Sequence, residues 1–296
     1  MEKYKRKEKM IGVLFILPLF IGLTIFYIIP FFQTLFYSFT DLGAFGRYTT
    51  VNANNYIRLV KDNEVKKALL NTLKIVIVTV PIITFLSIIL SILLNEKIKF
   101  VRIYRVLYII PSIMMPSLVA LIWRWLLNAD YGLINNMLKS LSLPTPNWLS
   151  DKKYVLFSVI AVYIWSKVGY NTIIFLSGLK DIPECFYEAA SLDGAGSISK
   201  FFNITLPLLL PSIFFVVITS FIESFQVFDL IFIMVTENSI AIEEAQTLVY
   251  LFYKYSFILH EKGYGAAIVI VLFFIIMGFT IVHLKLQDKF IIRSKI

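Results

Sequence analysis

Charged side chains interrupt two long apolar runs of the sequence, and they are the residues whose types could do chemistry. Lys167 lies midway along the run 154–179, and Glu223 lies near the middle of the run 208–235. If these runs span a membrane, a charge at the centre costs about 2.5 to 3.5 kcal/mol on insertion scales, so it is expected to face a packed interior or a wet path. Opposite charges at similar depth on sequential runs predict an ion pair.

Four further polar residues lie within about two helical turns of this predicted pair. They are Tyr170, Asn171, Gln226 and Asp229. Together they offer carboxamide, carboxylate and aromatic groups to a polar solute. A structural role, in which an ion pair and amides act as polar glue between helices, explains the same residues. Both interpretations stay open on the sequence alone.

The composition places these runs in a membrane protein. Of the 296 residues, 58% are hydrophobic and 16% are charged, and the mean hydropathy is +0.80. An ordinary soluble domain is about 45 to 50% apolar and about 25% charged. The net charge of +9 is attributed to basic loops at a membrane surface rather than to nucleic-acid binding.

Several chemistries are excluded by residues that the sequence lacks. Cys185 is the single cysteine, which excludes an internal disulfide, and the two histidines lie far apart in the sequence. The phosphate-binding pattern G-x-x-x-x-G-K-[ST] is absent, as are G-x-S-x-G and H-E-x-x-H. The sequence therefore predicts no catalytic centre, no metal site and no cofactor, and any ATP hydrolysis must come from another chain.

Six apolar stretches are long enough to cross a bilayer as helices, which takes about 20 residues. Lys and Arg are more frequent in the segments that would lie on the side of the N-terminus than in the opposite, longer segments. The positive-inside rule then places both termini in the cytoplasm. The predicted spans are 11–36, 68–94, 106–127, 154–179, 208–235 and 264–286.

The cytoplasmic segment 181–207, between the fourth and fifth spans, has helix start and stop signals. Pro183 suits a first helical turn, and Gly194 suits the left-handed residue that ends a helix. Ser197 is expected to cap a second short helix, which Pro207 is expected to close. The segment thus predicts a helix, a glycine turn and another helix across the membrane surface.

Within this segment, Glu188-Ala189-Ala190, Gly194 and Ile204-x-Leu206-Pro207 form the pattern EAA---G---------I-LP. This resembles the loop that marks the membrane subunits of bacterial ATP-binding-cassette importers. Tyr131-Gly-Leu-Ile-Asn135 and Asn147-Trp-Leu-Ser-Asp151 are similar to motifs of one branch, the permeases for sugars and glycerol phosphate of the maltose-transporter type. That branch usually carries a Gly-Gly-Pro turn after the fifth span, where this chain has residues 237–244.

The resemblance implies an all-α membrane protein with the type I permease fold of these importers: six transmembrane helices and a cytoplasmic helix-turn-helix coupling loop. It implies a division into residues 1–67, with the N-terminal tail, first helix and outer loop, and a core permease domain, 68–296, that includes the coupling loop 181–207. In that family the loop docks on the ATPase, and the matching residues are Glu188, Ala189, Ala190, Asp193, Gly194, Ile204, Leu206 and Pro207.

The resemblance further implies a transport subunit, not an enzyme, in the bacterial plasma membrane. Its expected partners are a second permease, two ATPase copies and an extracellular solute-binding protein that delivers a sugar or oligosaccharide. A glycerol-phosphate permease is an alternative, and an ion-coupled transporter with Glu223 or Asp229 as proton relay is another. For a sugar, the candidate path residues are Lys167, Tyr170, Asn171, Glu223, Gln226 and Asp229.

Overall fold

The computed structural model describes residues 2–96, 99–236 and 239–293, which are mostly helical. Lys97 and Lys295, two of the basic residues assigned above to the cytoplasmic side, and the first two residues of 237–244 lie outside the described residues. The α-helices are α1 (Glu2–Leu23), α2 (Ile29–Tyr37), α3 (Asn54–Lys61), α4 (Asn63–Asn95), α5 (Val101–Ile113), α6 (Pro116–Leu126), α7 (Leu133–Ser140), α8 (Val155–Lys180), α9 (Glu184–Leu192), α10 (Ser197–Lys200), α11 (Leu206–Phe225), α12 (Asp229–Met234), α13 (Ile242–Ala245), α14 (Leu248–Tyr253) and α15 (Lys262–Arg293).

Five of the helical runs are long and apolar enough to cross a membrane, and a bent pair of helices brings the number to six. Single π-helical turns at Thr24–Ile28 and Phe201–Thr205 join α1 to α2 and α10 to α11, so these runs are continuous. The five runs are Val13–Tyr37, Asn63–Asn95, Val155–Lys180, Ser197–Phe225 and Lys262–Gln287. The predicted fold class, an all-α protein with about six spans, is confirmed.

The third predicted span, 106–127, is not one helix. It divides between α5 and α6, whose axes differ in direction by 98°. Met114 and Met115, between the two helices, have extended backbones with ψ of 145° and 134°. Pro116 explains the break, because its ring disfavours the helical conformation of the residue before it and its own position is the first of α6.

The fifth predicted span, 208–235, also differs from a single helix. Its helix starts earlier, because the run from Ser197 continues into α11, and it stops at Phe225. Pro207 therefore does not close a short helix as expected. It lies in the first turn of α11, where a missing N–H is tolerated. Beyond Phe225, three residues precede the six-residue helix α12.

The chain divides into two compact units, residues 1–62 with 252–271 and residues 63–251 with 272–296. In the first unit, the loop after α2 is closed on itself. Asp41 accepts hydrogen bonds from the backbone N–H groups of Thr49 and Thr50, and Asn55 donates to the carbonyl oxygens of Ser38 and Thr40. Arg58 pairs with Glu261 at 2.5 Å in the same unit.

The second unit is built around α4 and α8, which pack along one another, with α11 against both and α5 against α8. A glycine decides the α5 contact: a side chain at Gly169 would collide with the backbone carbonyl of Tyr108. A cluster of fully buried or nearly buried residues lies between α8, the segment after it and α11, namely Phe175, Leu179, Ile182, Leu209 and Val216.

Candidate functional site

A cavity of about 310 Å³ opens at the two helix breaks of the second unit. One wall comes from the end of α5 and the start of α6, and another from α8. The end of α11, the break 226–228 and the start of α12 supply the rest. Non-helical backbone at membrane depth is tolerated only where it is buried in protein or lines a water-filled space. The non-helical backbone at the two breaks is therefore expected to be buried in the protein or to face this cavity.

The predicted ion pair lies in this cavity. Lys167 Nζ of α8 is 2.8 Å from Glu223 Oε2 of α11, and both residues line the space. Their side chains are 32% and 48% exposed, so the pair is open to the cavity rather than enclosed in the core. The Lys167 ammonium also lies 5.8 Å from the ring centre of Tyr163, one turn earlier on α8.

Gln226 and Asp229, predicted as companions of the pair, line the same cavity. Gln226 belongs to the irregular segment after α11, and Asp229 is the first residue of α12. A buried hydroxyl fixes that segment, because Thr247 Oγ1 donates to the Val227 carbonyl at 3.0 Å. The Asp229 carboxylate lies 3.3 Å from the hydroxyl of Ser117, which stands in the first turn of α6.

Tyr170 and Asn171, the other two predicted companions, do not line the cavity. Asn171 is buried and its amide donates to the Lys167 carbonyl of its own helix at 3.1 Å. Tyr170 is 53% exposed, and its backbone N–H donates to Ser112 Oγ at 3.1 Å. Both lie next to Gly169, where α5 closes against α8.

The sequence reasoning missed the small hydroxyl residues of the cavity. Ser112 and Ser166 line it, and Ser112 Oγ donates to the Ser166 carbonyl at 2.7 Å, which ties α5 to α8. Ser117 approaches Asp229 from α6. Pro111 and Pro116 were the available signal, because prolines inside an apolar run mark places where backbone groups need other partners.

The second candidate site is the segment 181–207. Helix α9 begins at Glu184, directly after Pro183, and ends at Leu192. Gly194 follows with φ of +76°, which is the left-handed conformation that its position in the pattern predicted. Ser197 is the first residue of α10, whose cap position is Gly196, so the expected capping by the Ser197 side chain is absent.

Most of the segment's surface is exposed, whereas its base is anchored. Glu188, Ala189, Asp193 and Gly194 are exposed, and Ala190 is partly buried. Tyr187 and Ile204 pack against the core cluster of α8 and α11, and the Tyr187 hydroxyl lies 2.9 Å from Thr205 Oγ1.

The two arms of the segment are also joined to each other and continue into a span. Lys200 Nζ donates to Ser191 Oγ at 2.7 Å, which links α10 to α9. Leu206 and Pro207, both partly buried, belong to the first turn of α11. A force on the exposed helix can therefore reach α8 and α11.

Three or more His, Cys, Asp or Glu side chains close together are the kind of group that could hold a metal ion. Over residues 2–96, 99–236 and 239–293 no such group occurs.

Comparisons with known proteins find relatives over nearly the whole chain. The chain is 31% identical over 285 residues to the trehalose/maltose transport system permease protein MalF of Thermococcus litoralis, covering 96% of this chain and 95% of that one. It is 30% identical to the arabinooligosaccharides transport system permease protein AraP of Bacillus subtilis, covering 96% and 90%. It is 28% identical to the sn-glycerol-3-phosphate transport system permease protein UgpA of Yersinia pestis, covering 93% of each.

The fold has a close counterpart among solved structures. A chain of a bacterial ABC transporter involved in the import of the acidic polysaccharide alginate superposes with a TM-score of 0.87 over 98% of this chain and 99% of that chain, at 19% identity. Residues 58–291 match the family described as binding-protein-dependent transport system inner membrane component. This chain, with its long apolar helices, is a member of that family.

Proposed function

We propose that the chain is the permease subunit of an ATP-driven importer that takes up a sugar or oligosaccharide. The observation that carries the proposal is the match, over nearly the whole chain, to permeases named for trehalose, maltose and arabinooligosaccharide transport. The polar cavity at the helix breaks supports it, because a carboxamide and two carboxylates offer the bidentate hydrogen bonds that vicinal hydroxyls accept and donate.

The exposed segment 181–207 is the proposed contact with the ATPase. Glu188, Ala189, Ala190, Asp193 and Gly194 supply the docking surface, since small residues allow close approach and a carboxylate can pair with a basic partner. Ile204, Leu206 and Pro207 connect that surface to α11, because they lie on the helical run that becomes the span.

The importer is proposed to contain partners beyond this chain. Six spans are half of the pore expected from the resemblance, so a second permease completes it, two ATPase copies supply the hydrolysis, and an extracellular solute-binding protein delivers the sugar. The proposed orientation in the plasma membrane has both termini in the cytoplasm, as the basic residues predict. Residues 68–296 form the proposed core permease domain, and residues 1–67 comprise the N-terminal tail, the first helix and the outer loop that precede it.

A glycerol-phosphate importer is the second candidate, because permeases named for sn-glycerol-3-phosphate match this chain almost as well as those named for sugars. An ion-coupled transporter, with Glu223 or Asp229 as proton relay, leaves the exposed segment without a role. An ATP-driven importer needs an ATPase, whereas an ion-coupled transporter needs an ion gradient, and this difference separates the two classes.

Co-purification followed by reconstitution tests the proposal. The tagged chain, expressed in the organism that encodes it, should retain an ATPase on the column. Uptake into liposomes should need internal ATP and should survive collapse of the proton gradient. Uptake that follows the gradient and ignores ATP would refute an ATP-driven importer.

Gly194→Val should abolish the coupling, and Gly196→Val is the matched control, because Gly196 has a φ of −72° that valine adopts freely.

A further inference from the structure

We infer that Asp229 gives the cavity a net negative charge, and that the cavity therefore accepts neutral sugars and sugars with a protonated amine but disfavours anionic ones, such as phosphate esters and uronic acids. The inference deepens the proposed function and rests on the cavity being the substrate path. It decides between the two solute classes that the relatives leave open.

The charges of the cavity lining do not balance. Among the described residues that line it, the formally charged side chains are Lys167, Glu223 and Asp229. Lys167 and Glu223 lie 2.8 Å apart and cancel each other for a solute more than a few ångströms away. The Lys167 ammonium is thus already engaged, and an approaching anion meets no free cation in this lining.

Asp229 has no cationic partner in the described part of the chain. Among the described residues its carboxylate contacts the Ser117 hydroxyl at 3.3 Å and makes no ion pair. A hydroxyl group does not neutralise a carboxylate. The N-terminus of α6, which also borders the cavity, contributes roughly half a positive charge at most. The lining therefore remains negative around Asp229.

This charge acts on the solute more strongly than a surface charge would. The cavity is walled by apolar groups, such as Val119 and Leu230, which lower the local dielectric response. A phosphate or uronate is repelled there, whereas an ammonium group is attracted. A neutral sugar is not repelled by this charge, and its hydroxyl groups can donate hydrogen bonds to the carboxylates and to the Gln226 carbonyl oxygen. Arg and Lys are the common side-chain donors to phosphate, and the described residues of this lining include no Arg and no Lys outside the ion pair.

The electrostatic potential can be measured without knowing the solute. In the full-length chain, purified in a neutral detergent, Cys185→Ser removes the native thiol and Ser166→Cys places a reporter thiol in the cavity lining. Its rate of modification is measured with a cationic and an anionic methanethiosulfonate of similar size. The cationic reagent should react faster. Asp229→Asn should lower the cation-to-anion rate ratio by about tenfold, because the two reagents respond in opposite directions.

Three matched variants define the outcomes. Asp229→Glu keeps the charge and should keep the ratio. Asp229→Ser also removes the charge and should lower the ratio, so the prediction stays testable if Asp229→Asn fails to fold. Asp181→Asn removes a charge from the exposed end of α8 and should leave the reporter unchanged. In a separate chain that keeps Cys185 and Ser166, the reaction of Cys185, exposed on α9, should not respond to Asp229→Asn.

Three results would overturn the inference: equal rates for both reagents at position 166, a faster anionic reagent, or a ratio that neither Asp229→Asn nor Asp229→Ser changes. That result is distinguishable from failure of the proposed function. If the cavity shows no charge preference but uptake still needs ATP, the inferred charge selection is refuted and the proposed importer stands. If the cavity is negative but uptake does not depend on ATP, the proposed importer is refuted and the inferred negative potential stands.

Discussion

The ion pair between Lys167 and Glu223 gives the sharpest test of how the spans are placed. Breaking a fully buried pair typically costs about 3 to 5 kcal/mol, whereas an exposed pair contributes about 0 to 1 kcal/mol. Here the two side chains are 32% and 48% exposed at a separation of 2.8 Å. The coupling between them is therefore expected between these limits, at about 1 to 2 kcal/mol.

A double-mutant cycle measures this coupling. Lys167→Met, Glu223→Gln and the double variant are purified in the same detergent, and the free energy of unfolding is followed by denaturant-dependent loss of helical signal. The double variant should lose less stability than the sum of the losses in the two single variants, and the difference is the coupling energy. Additive effects, within about 0.3 to 0.5 kcal/mol, would show that the two residues do not interact and would refute the assigned contact.

The charge exchange separates a structural pair from a transport role. Lys167→Glu combined with Glu223→Lys keeps one charge of each sign on the same two helices and should restore stability. If the pair also lines the solute path, transport should remain impaired, because the hydrogen-bond donor and acceptor have changed places. Full recovery of both stability and transport would assign the pair to the structure alone.

The remaining predictions concern the turn, a helix contact and a loop. Gly194→Val should uncouple ATP hydrolysis from uptake while the chain still inserts, whereas Gly196→Val should not, as measured in reconstituted complexes. Gly169→Ala should destabilise the chain by about 1 to 3 kcal/mol, because a methyl group there meets the Tyr108 carbonyl, and Gly278→Ala, which meets nothing, is the control for unfolding measurements. The hydrogen bond from the Thr49 hydroxyl, followed by those from the backbone N–H groups of Thr50 and Thr49, lowers the pKa of Asp41 well below its ordinary value. A lowered pKa means that the loop 41–50 keeps its closure at pH values where ordinary carboxylic acids protonate and loses it only below them, whereas Asp41→Asn should expose the Thr49 and Thr50 amides to hydrogen exchange at neutral pH.

The helices could be predicted because their signal is local. An apolar run of sufficient length reads as a span whatever it packs against, and the turn at Gly194 follows from the one residue type that adopts a positive φ without strain. The pairing of Lys167 with Glu223 could also be predicted, because a charge inside a span needs a partner at the same depth.

The positions of Tyr170 and Asn171 could not be predicted by the same reasoning. They follow Lys167 by three and four residues, which puts them on its side of an ideal helix. The structure buries Asn171, whose amide donates to the Lys167 carbonyl, and leaves Tyr170 exposed outside the cavity lining. Spacing along one helix gives the direction of a side chain, but the neighbouring helix decides where a cavity ends.

The breaks in the third and fifth spans show a similar limit. Counting apolar residues does not detect a change of direction, so 106–127 reads as one span although its halves differ by 98°. A break inside a membrane is stable only if its freed backbone groups find partners. The Val227 carbonyl finds Thr247, 20 residues later. Since the partner lies so far along the chain, the break and the cavity emerge only from the folded structure, although the position of Asp229 near the ion pair follows from its spacing to Glu223.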